Sequence, residues 1–326
     1  MLEKKSLFLF FFSISFFVYS QSISGTVIDD ITKEPLFGAT VYLDGTTIGV
    51  ITDLNGDFQL ELKNTLNSPM VISYVGYETK VFQTENFITG KNLYLVPKRI
   101  DLDEIILPPD GWSREKKLRI FKSEFLGKAV SSKHCKILNS KEITLIYNSN
   151  KNTLTAFSDN PIIITNKYLD YKISYNLVDF EVQFKNSTNE LRYSHLVYYA
   201  GTSFFSELSL KTKKRNISKR EKEYYGSLIH FMRSLSDKTL VENNFEIYNN
   251  GFHADPYQYF KINYEQELVK VELTVDRITI LFNNTDQSSM ENTNNSNVFY
   301  IDKNGNHSPP NGLLFGGNFG FNLSSV

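Results

Sequence analysis

The chain is predicted to be mainly β, with a seven-stranded β-sandwich at residues 21–97 followed by an α+β domain. Three observations carry that prediction. Between residues 21 and 97, short alternating runs are separated by Gly, Pro, Asn and Asp at near-regular spacing, as in all-β sandwiches. Aromatic residues make up 14% of the chain and fall mainly in β-like runs, which fits sheet packing. Beyond residue 112 the pattern switches between helical and strand periods, and 326 residues suit roughly two domains.

Residues 1–20 are read as an export signal and set apart from the fold. Lys4 and Lys5 form a basic start, Leu7 to Tyr19 is an apolar core rich in Phe, and Val18 and Ser20 precede a cut at Gln21. The apolar run is shorter than the ~20 residues that a membrane-spanning helix needs. The expected location is therefore exported, in the periplasm or associated with the outer membrane. Basic and acidic residues balance, 35 against 36, so no global field draws the chain to nucleic acid or an anionic bilayer. The single cysteine, Cys135, has no internal disulfide partner and lies far from the cleavage site, which argues against a lipid-anchored signal. It is read as a small buried apolar residue. In an extended segment His134 points the other way, so no thiolate–imidazole pair is expected.

Seven strands are expected around Ser22–Ile28, Ala39–Leu43, Thr47–Ile51, Phe58–Leu62, Met70–Val75, Glu78–Phe82 and Asn92–Val96. Phe58, Leu60 and Leu62 share one face, with Gln59 and Glu61 on the other. The Met70–Val75 strand reads as buried on both sides. Gly45, Gly56 and Gly76 sit where the chain turns tightly. Asp53, Asn55 and Asp57 have the spacing of a calcium-loop start. An EF-hand, however, places Gly sixth and Glu twelfth, whereas here Gly56 is fourth and Asn64 is twelfth. Asn55-Gly56 is read as a hairpin turn with flanking Asx hydrogen bonds.

Several words of this region, taken together, resemble the carboxypeptidase-regulatory-like module, a transthyretin-like β-sandwich. They are Gly25-x-Val27-x-Asp29, Pro35-Leu36-x-Gly38-Ala39-x-Val41, Gly45-Thr46, Thr52-Asp53-x-x-Gly56-x-Phe58 and Gly76-Tyr77-Glu78. In related proteins the module follows metallocarboxypeptidase domains or precedes TonB-dependent outer-membrane receptors. The resemblance implies a fold and a Gram-negative envelope setting. It implies no catalytic residues and no peptidase activity.

Residues 98–112 read as a linker, interrupted by Pro108, Pro109 and Gly111. Leu102-Asp103-Glu104-Ile105-Ile106 resembles the segment that follows the module in TonB-dependent receptors. The residues after it, on the order of 200, are expected to be too few for a plug and a large barrel.

Residues 113–283 are expected to form the α+β domain. Ser113–Lys128 has helical period through Leu118, Phe121 and Phe125, with i, i+4 pairs Glu115–Arg119 and Glu124–Lys128 and a stop at Gly127. Pro161–Thr165 is a compact β run. The apolar phase of Tyr171, Ile173, Tyr175 and Leu177 slips by one residue before Phe180, Val182 and Phe184, which predicts a bulge or break near Val178-Asp179. A second helix is expected over Lys219–Leu235, with Ser218 as N-cap and Tyr225, Leu228, Met232 and Leu235 as its apolar stripe. The basic run from Lys211 to Arg220 is read as a solvated loop. Val269–Asp276 is a strand with one wet face, and Ile278–Phe282 is a candidate hairpin partner for it. The Asn-, Ser- and Gly-rich segment 284–326 is expected to be loosely ordered.

Words of this second region also resemble exported proteins known only for containing a carboxypeptidase-like regulatory domain. They include Cys135-Lys136-Ile137-Leu138-Asn139, Asn166-Lys167-Tyr168-Leu169 and Tyr225-Gly226-Ser227-Leu228-x-His230-Phe231-x-Arg233. That resemblance implies no activity.

The five histidines, His134, His195, His230, His253 and His307, lack the spacing of a zinc peptidase. Nucleophile-elbow, Walker and dinucleotide glycine patterns are absent. His253-Ala254-Asp255 precedes Pro256 and reads as structural, as does the i, i+3 pair His230 and Arg233. No catalytic, cofactor-binding or metal-binding residue and no cofactor is therefore assigned. The leading reading is a non-enzymatic envelope protein that binds or scaffolds another envelope protein. One alternative is a carbohydrate-binding protein, for which Trp112 or exposed coplanar Tyr rings would serve as a platform. The other is a hydrolase with His253 and Asp255 beside a nucleophile. No nucleic-acid partner and no integral membrane segment after signal cleavage are expected.

Overall fold

A computed structural model describes residues 21–62, 68–84, 87–98, 111–186, 192–265, 268–293, 297–309 and 312–321. The expected export signal and most of the expected linker lie outside them. Three buried hydrophobic clusters organise the described chain.

The first belongs to the sandwich. Its strands are β1 (Gln21–Asp29), β2 (Thr40–Leu43), β3 (Gly49–Ile51), β4 (Asp57–Leu62), β5 (Met70–Ser73), β6 (Lys80–Phe82) and β7 (Lys91–Leu95). All seven expected strands are present, with ends moved by one or two residues. They form two sheets, in the orders β4-β1-β7 and β3-β2-β5-β6. Phe58 and Leu60 are buried while Gln59 and Glu61 are exposed, and Met70, Val71 and Ile72 are all buried, as alternation and its absence foretold. Asp53 Oδ1 accepts from the N–H groups of Asn55 and Asp57, both at 2.9 Å, so the carboxylate closes the hairpin turn. Gly56 has φ +75°, and a Cβ there would lie 2.5 Å from the Val27 carbonyl, which is why this turn needs glycine.

The second cluster lies under α1 (Arg114–Leu126), which has Ser113 as N-cap and Gly127 as C-cap. Phe121 and Phe125 stack at 4.9 Å and turn their edges to Phe180 and Tyr175 of the sheet below. That sheet contains β8 (Cys135–Ile137), β9 (Thr144–Asn148), β10 (Thr153–Phe157), β11 (Ile162–Asn166), β12 (Tyr171–Asn186) and β13 (Arg192–Glu207). One edge of the long β12 pairs first with β11 and then with β10, and its other edge pairs with β13 throughout. Of the expected bulge or break the structure has the bulge, since the register shifts between Leu177 and Asp179 while β12 continues. Glu124 accepts from Ser194 at 2.9 Å, so α1 is tied to β13.

The third cluster takes in the rest of the chain. Helices α2 (Lys214–Tyr224) and α3 (Leu228–Ser236) replace the single helix expected over Lys219–Leu235. The break is local chemistry: Gly226 has φ +80° and Ser227, not Ser218, caps α3 by accepting from His230 N–H. Tyr225 is exposed at this break and so leaves the apolar stripe. The strands are β14 (Phe245–Asn249), β15 (Phe252–Ala254), β16 (Phe260–Glu265), β17 (Leu268–Leu273), β18 (Arg277–Phe282), β19 (Asp286–Asn292), β20 (Val298–Ile301), β21 (His307–Ser308) and β22 (Leu313–Gly317). They form sheets β15-β14-β18-β19-β22 and β16-β17-β20-β21. Thus β17 and β18 are not hairpin partners, because the chain crosses from one sheet to the other at Thr274–Asp276. Both strands then bury apolar side chains in the same cluster.

The segment expected to be loosely ordered supplies β19 to β22. Met290, Phe299, Ile301 and Leu313 from it are buried with Phe231, Phe245 and Ile280. Its polar look hides a tight contact: Ser288 and Ser289 are buried, and Ser288 Oγ accepts from Phe319 N–H. Small polar side chains allow this close approach where alternating large apolar residues would not.

Candidate functional site

The most specific polar constellation is the joint where the sandwich meets the β12–β13 hairpin. The turn after β2, Asp44-Gly45-Thr46, projects from the sandwich with Gly45 at φ +69°. It pairs with β13 as a short added strand: Gly45 N–H donates to Ser203 O and Phe205 N–H to Thr46 O, both at 2.9 Å. Asp44 Oδ1 accepts from Ser203 N–H at 2.6 Å. Behind it, Asn176 Nδ2 donates to the Tyr42 hydroxyl at 2.6 Å, which also bonds Thr202 at 3.0 Å, and Ser73 Oγ donates to Asn176 Oδ1 at 3.2 Å. Gly49 admits the Phe204 ring, since a Cβ there would sit 2.6 Å from it. A small cavity of about 110 Å³ lies beside Thr40, Ser73, Ser174 and Asn176.

Burial sets the electrostatics of the joint. It pushes the Tyr42 hydroxyl up to about 12, well outside any acid–base role at neutral pH. It also raises the Asp44 carboxyl above its ordinary value, only partly offset by the N–H groups of Ser203 and Gly45, with the Asp302 charge adding to the rise. The third cluster closes the joint from the other side. Asn304 Nδ2 donates to the buried Ser68 Oγ at 2.9 Å, and Arg233 Nε donates to Asn304 O at 2.9 Å.

The residues singled out by sequence are not gathered at this joint. His253 lines an open cleft of about 480 Å³ with Val241, Asn244, Glu246 and Pro256, but Asp255 does not, and no Ser, Thr or Cys among the described residues lines it. Asp255 Oδ1 instead accepts from Tyr257 N–H at 3.0 Å, while the His253 ring packs on Tyr248. His230, read as structural, is a buried residue of the third cluster's interior. Its Nδ1 accepts from Gly226 N–H at 3.1 Å, its ring touches Phe245 and Phe282, and burial lowers its pKa, so the neutral ring is favoured.

Cys135 is part-buried. Its thiol contacts Ser131 O, and burial pushes it up to about 11, the reverse of what a nucleophile needs. His134 stacks on Tyr168 instead of meeting the thiol. Trp112 stacks on the buried Tyr147 at 3.9 Å, and Lys116 lies 3.8 Å over the Trp112 ring. The basic run is no loop: α2 begins within it. Arg220 pairs with Glu207 through two bonds, donates to Leu169 O and lies 3.6 Å over Tyr171. Among the described residues, no three His, Cys, Asp or Glu side chains converge as a metal site.

Sequence reading missed the joint because its parts are unremarkable singly. Asp44, Asn176, Ser203 and Asn304 are common turn and strand residues lying far apart in the chain. The one sequence signal for it is the Asp44-Gly45-Thr46 turn, and no sequence expectation covers β13, the strand it meets.

With this geometry in place, comparison with known proteins assigns the first unit. Residues 23–107 match the model of the CarboxypepD_reg-like domain family. The TonB-dependent receptor SusC of Bacteroides thetaiotaomicron is 34% identical over 97 residues, covering 30% of this chain and 9% of the receptor. The chain thus matches only a small part of that relative's length. Among solved structures, two interface mutants of the type II cohesin–X–dockerin complex from Acetivibrio cellulolyticus match 23% of this chain and 51% of theirs. Their identities are 25% and 27% and their TM-scores 0.19 and 0.18, too low to indicate a shared overall fold. The β-sandwich of this chain is thus a carboxypeptidase-regulatory-like domain, matched over residues 23–107.

Proposed function

We propose that this is a non-enzymatic protein of the cell envelope in which the sandwich, residues 21–97, is a fixed docking element for another envelope protein. The residues from 113 onward form the body that carries it. The observation that carries this reading is the joint. A turn of the sandwich is built into the edge of β13 by backbone pairing and buried polar bonds, which suits a rigid presenting role. The partial likeness to a TonB-dependent receptor supports an outer-membrane or periplasmic setting, reached through the signal at residues 1–20. No helix among the described residues is long and apolar enough to cross a membrane.

The alternatives have less support. The carbohydrate reading asked for an open aromatic platform, and both faces of Trp112 are taken by Tyr147 and Lys116. The hydrolase reading asked for His253 and Asp255 with a nucleophile in one pocket, and the cleft holds only the first. A photo-cross-linker at Tyr94 on β7, in the sheet away from the joint, tests the proposal in the native envelope. A recurring envelope protein captured there, and not from a linker at buried Phe231, is expected. Absence of any adduct, or a turnover abolished specifically by His253→Ala, would overturn it.

A further inference from the structure

β13 pairs with β12 along one edge, and among the described residues the sandwich uses the other edge only at Ser203–Phe205. Within a strand, a residue sends its N–H and C=O to the same side, and successive residues alternate. Ser203 and Phe205 point outward to the sandwich, so Gly201, Tyr199 and Val197 point outward as well. The bulge at Val178 lies on β12 and leaves this alternation intact; the extra residue His195 on β13 ends it. Among the described residues, the outward backbone groups of Val197, Tyr199 and Gly201 have no partner.

A second observation is chemical. From Tyr193 to Ser206 there is no Lys, Arg, Asp, Glu or Pro. Free edge strands are ordinarily guarded by such residues, because a row of unpaired backbone groups is a template for another strand. Between the His195 bulge and the sandwich, this edge has neither charge nor proline to guard it.

We propose that the outer edge of β13 at Val197–Gly201 takes an extended, uncharged peptide strand from a protein partner, continuing the pairing that Asp44–Thr46 already makes. This goes beyond the docking reading above, since it places a second contact on the body and not on the sandwich. The flanking side chains define the guest. Val197 and Tyr199 lie half-buried on the face toward α1, and Leu196, Tyr198 and Ala200 lie half-buried on the opposite face. A guest with β-branched or aromatic residues on both faces complements them, whereas a charge there would lose water without gaining a partner. The open stretch admits about five residues, roughly 17 Å at the rise of a strand.

The probe is a capped hexapeptide, Val-Thr-Val-Tyr-Val-Thr, and the same peptide N-methylated at alternate residues. Amide hydrogen exchange is followed by NMR on the full mature chain. The plain peptide is expected to slow exchange at Val197, Tyr199 and Gly201, and the methylated one is not. Ala200→Lys keeps every backbone group and sets a charge beside the guest, so it should return exchange to the peptide-free rate. An unchanged amide spectrum away from the edge confirms that this variant folds. Equal effects of both peptides, or none, would overturn the proposal. So would slow exchange in the free chain that is lost on dilution, which would assign the edge to a second copy. If the peptide fails while Tyr94 cross-linking still captures a partner, the edge assignment falls and the docking reading stands. If the peptide binds and cross-linking finds nothing, the edge stands and the docking reading falls.

Discussion

The sandwich and the C-terminal unit are both two-sheet β structures around a buried aromatic and aliphatic cluster, yet only the first looks like one in sequence. In the sandwich, β4 alternates Phe58-Gln59-Leu60-Glu61 and its turn at Asn55-Gly56 is marked by Asx and Gly. In the C-terminal unit, β19 reads Asp286-Gln287-Ser288-Ser289-Met290-Glu291-Asn292 and buries two serines beside one methionine. Strand formation there is decided by close sheet contact and by partners distant in sequence. A polar segment can therefore be core, provided its small side chains are hydrogen-bonded or tightly packed.

If the two units are equally core-like, matched truncations should cost the same. Phe58→Ala in the sandwich and Phe299→Ala in the polar tail, at 5% and 1% exposure, are each expected to lose about 3–5 kcal/mol by urea unfolding. A near-neutral Phe299→Ala would break the comparison and return the tail to loose structure. The joint between the sandwich and the β12–β13 hairpin ranks next. Asp44→Ala leaves the Ser203 N–H without its acceptor and should cost about 1–3 kcal/mol. Asp44→Asn keeps an acceptor while removing a desolvated charge, so it should be close to neutral.

The pH dependences sharpen the contrast because they run in opposite directions. The folded Asp44 carboxyl titrates above its ordinary 3.8. Its contribution is therefore full below 3.8 and lost as pH rises through the raised folded value. Asp44→Asn should flatten that part of the stability profile. His230 in the C-terminal unit titrates below its ordinary 6.5. Its contribution is present above 6.5 and lost as pH falls through the lowered folded value, a slope that His230→Asn should reduce. The smallest effect concerns Cys135. With its thiol near 11, it should react far more slowly with a disulfide reagent at pH 8 in the native chain than in urea.

These contrasts trace what was legible. Alternation, turn residues and a phase slip sufficed for the seven sandwich strands, for α1 and for the bulge at Val178, because each is fixed within a few residues. The break between α2 and α3 is in reach of the sequence, since Gly226-Ser227 is a stop followed by a cap, but an apolar stripe running from Tyr225 to Leu235 masks it. The joint was illegible for a different reason: Tyr42 meets Asn176 and Asp44 meets Ser203 only once the whole sheet exists. The inward role of Arg220 was hidden likewise, since its carbonyl partner at Leu169 comes from a turn far upstream.

The account depends most on the sandwich being fixed to the body and not tethered to it. Backbone ¹⁵N relaxation of the mature protein measures this directly, by comparing rotational correlation times for residues of β1–β7 with those of β8–β22. The joint predicts one common value, and a split into two values in Asp44→Ala if that carboxylate is essential to it. A shorter, independent correlation time for the sandwich in the wild-type chain would contradict the fixed docking element.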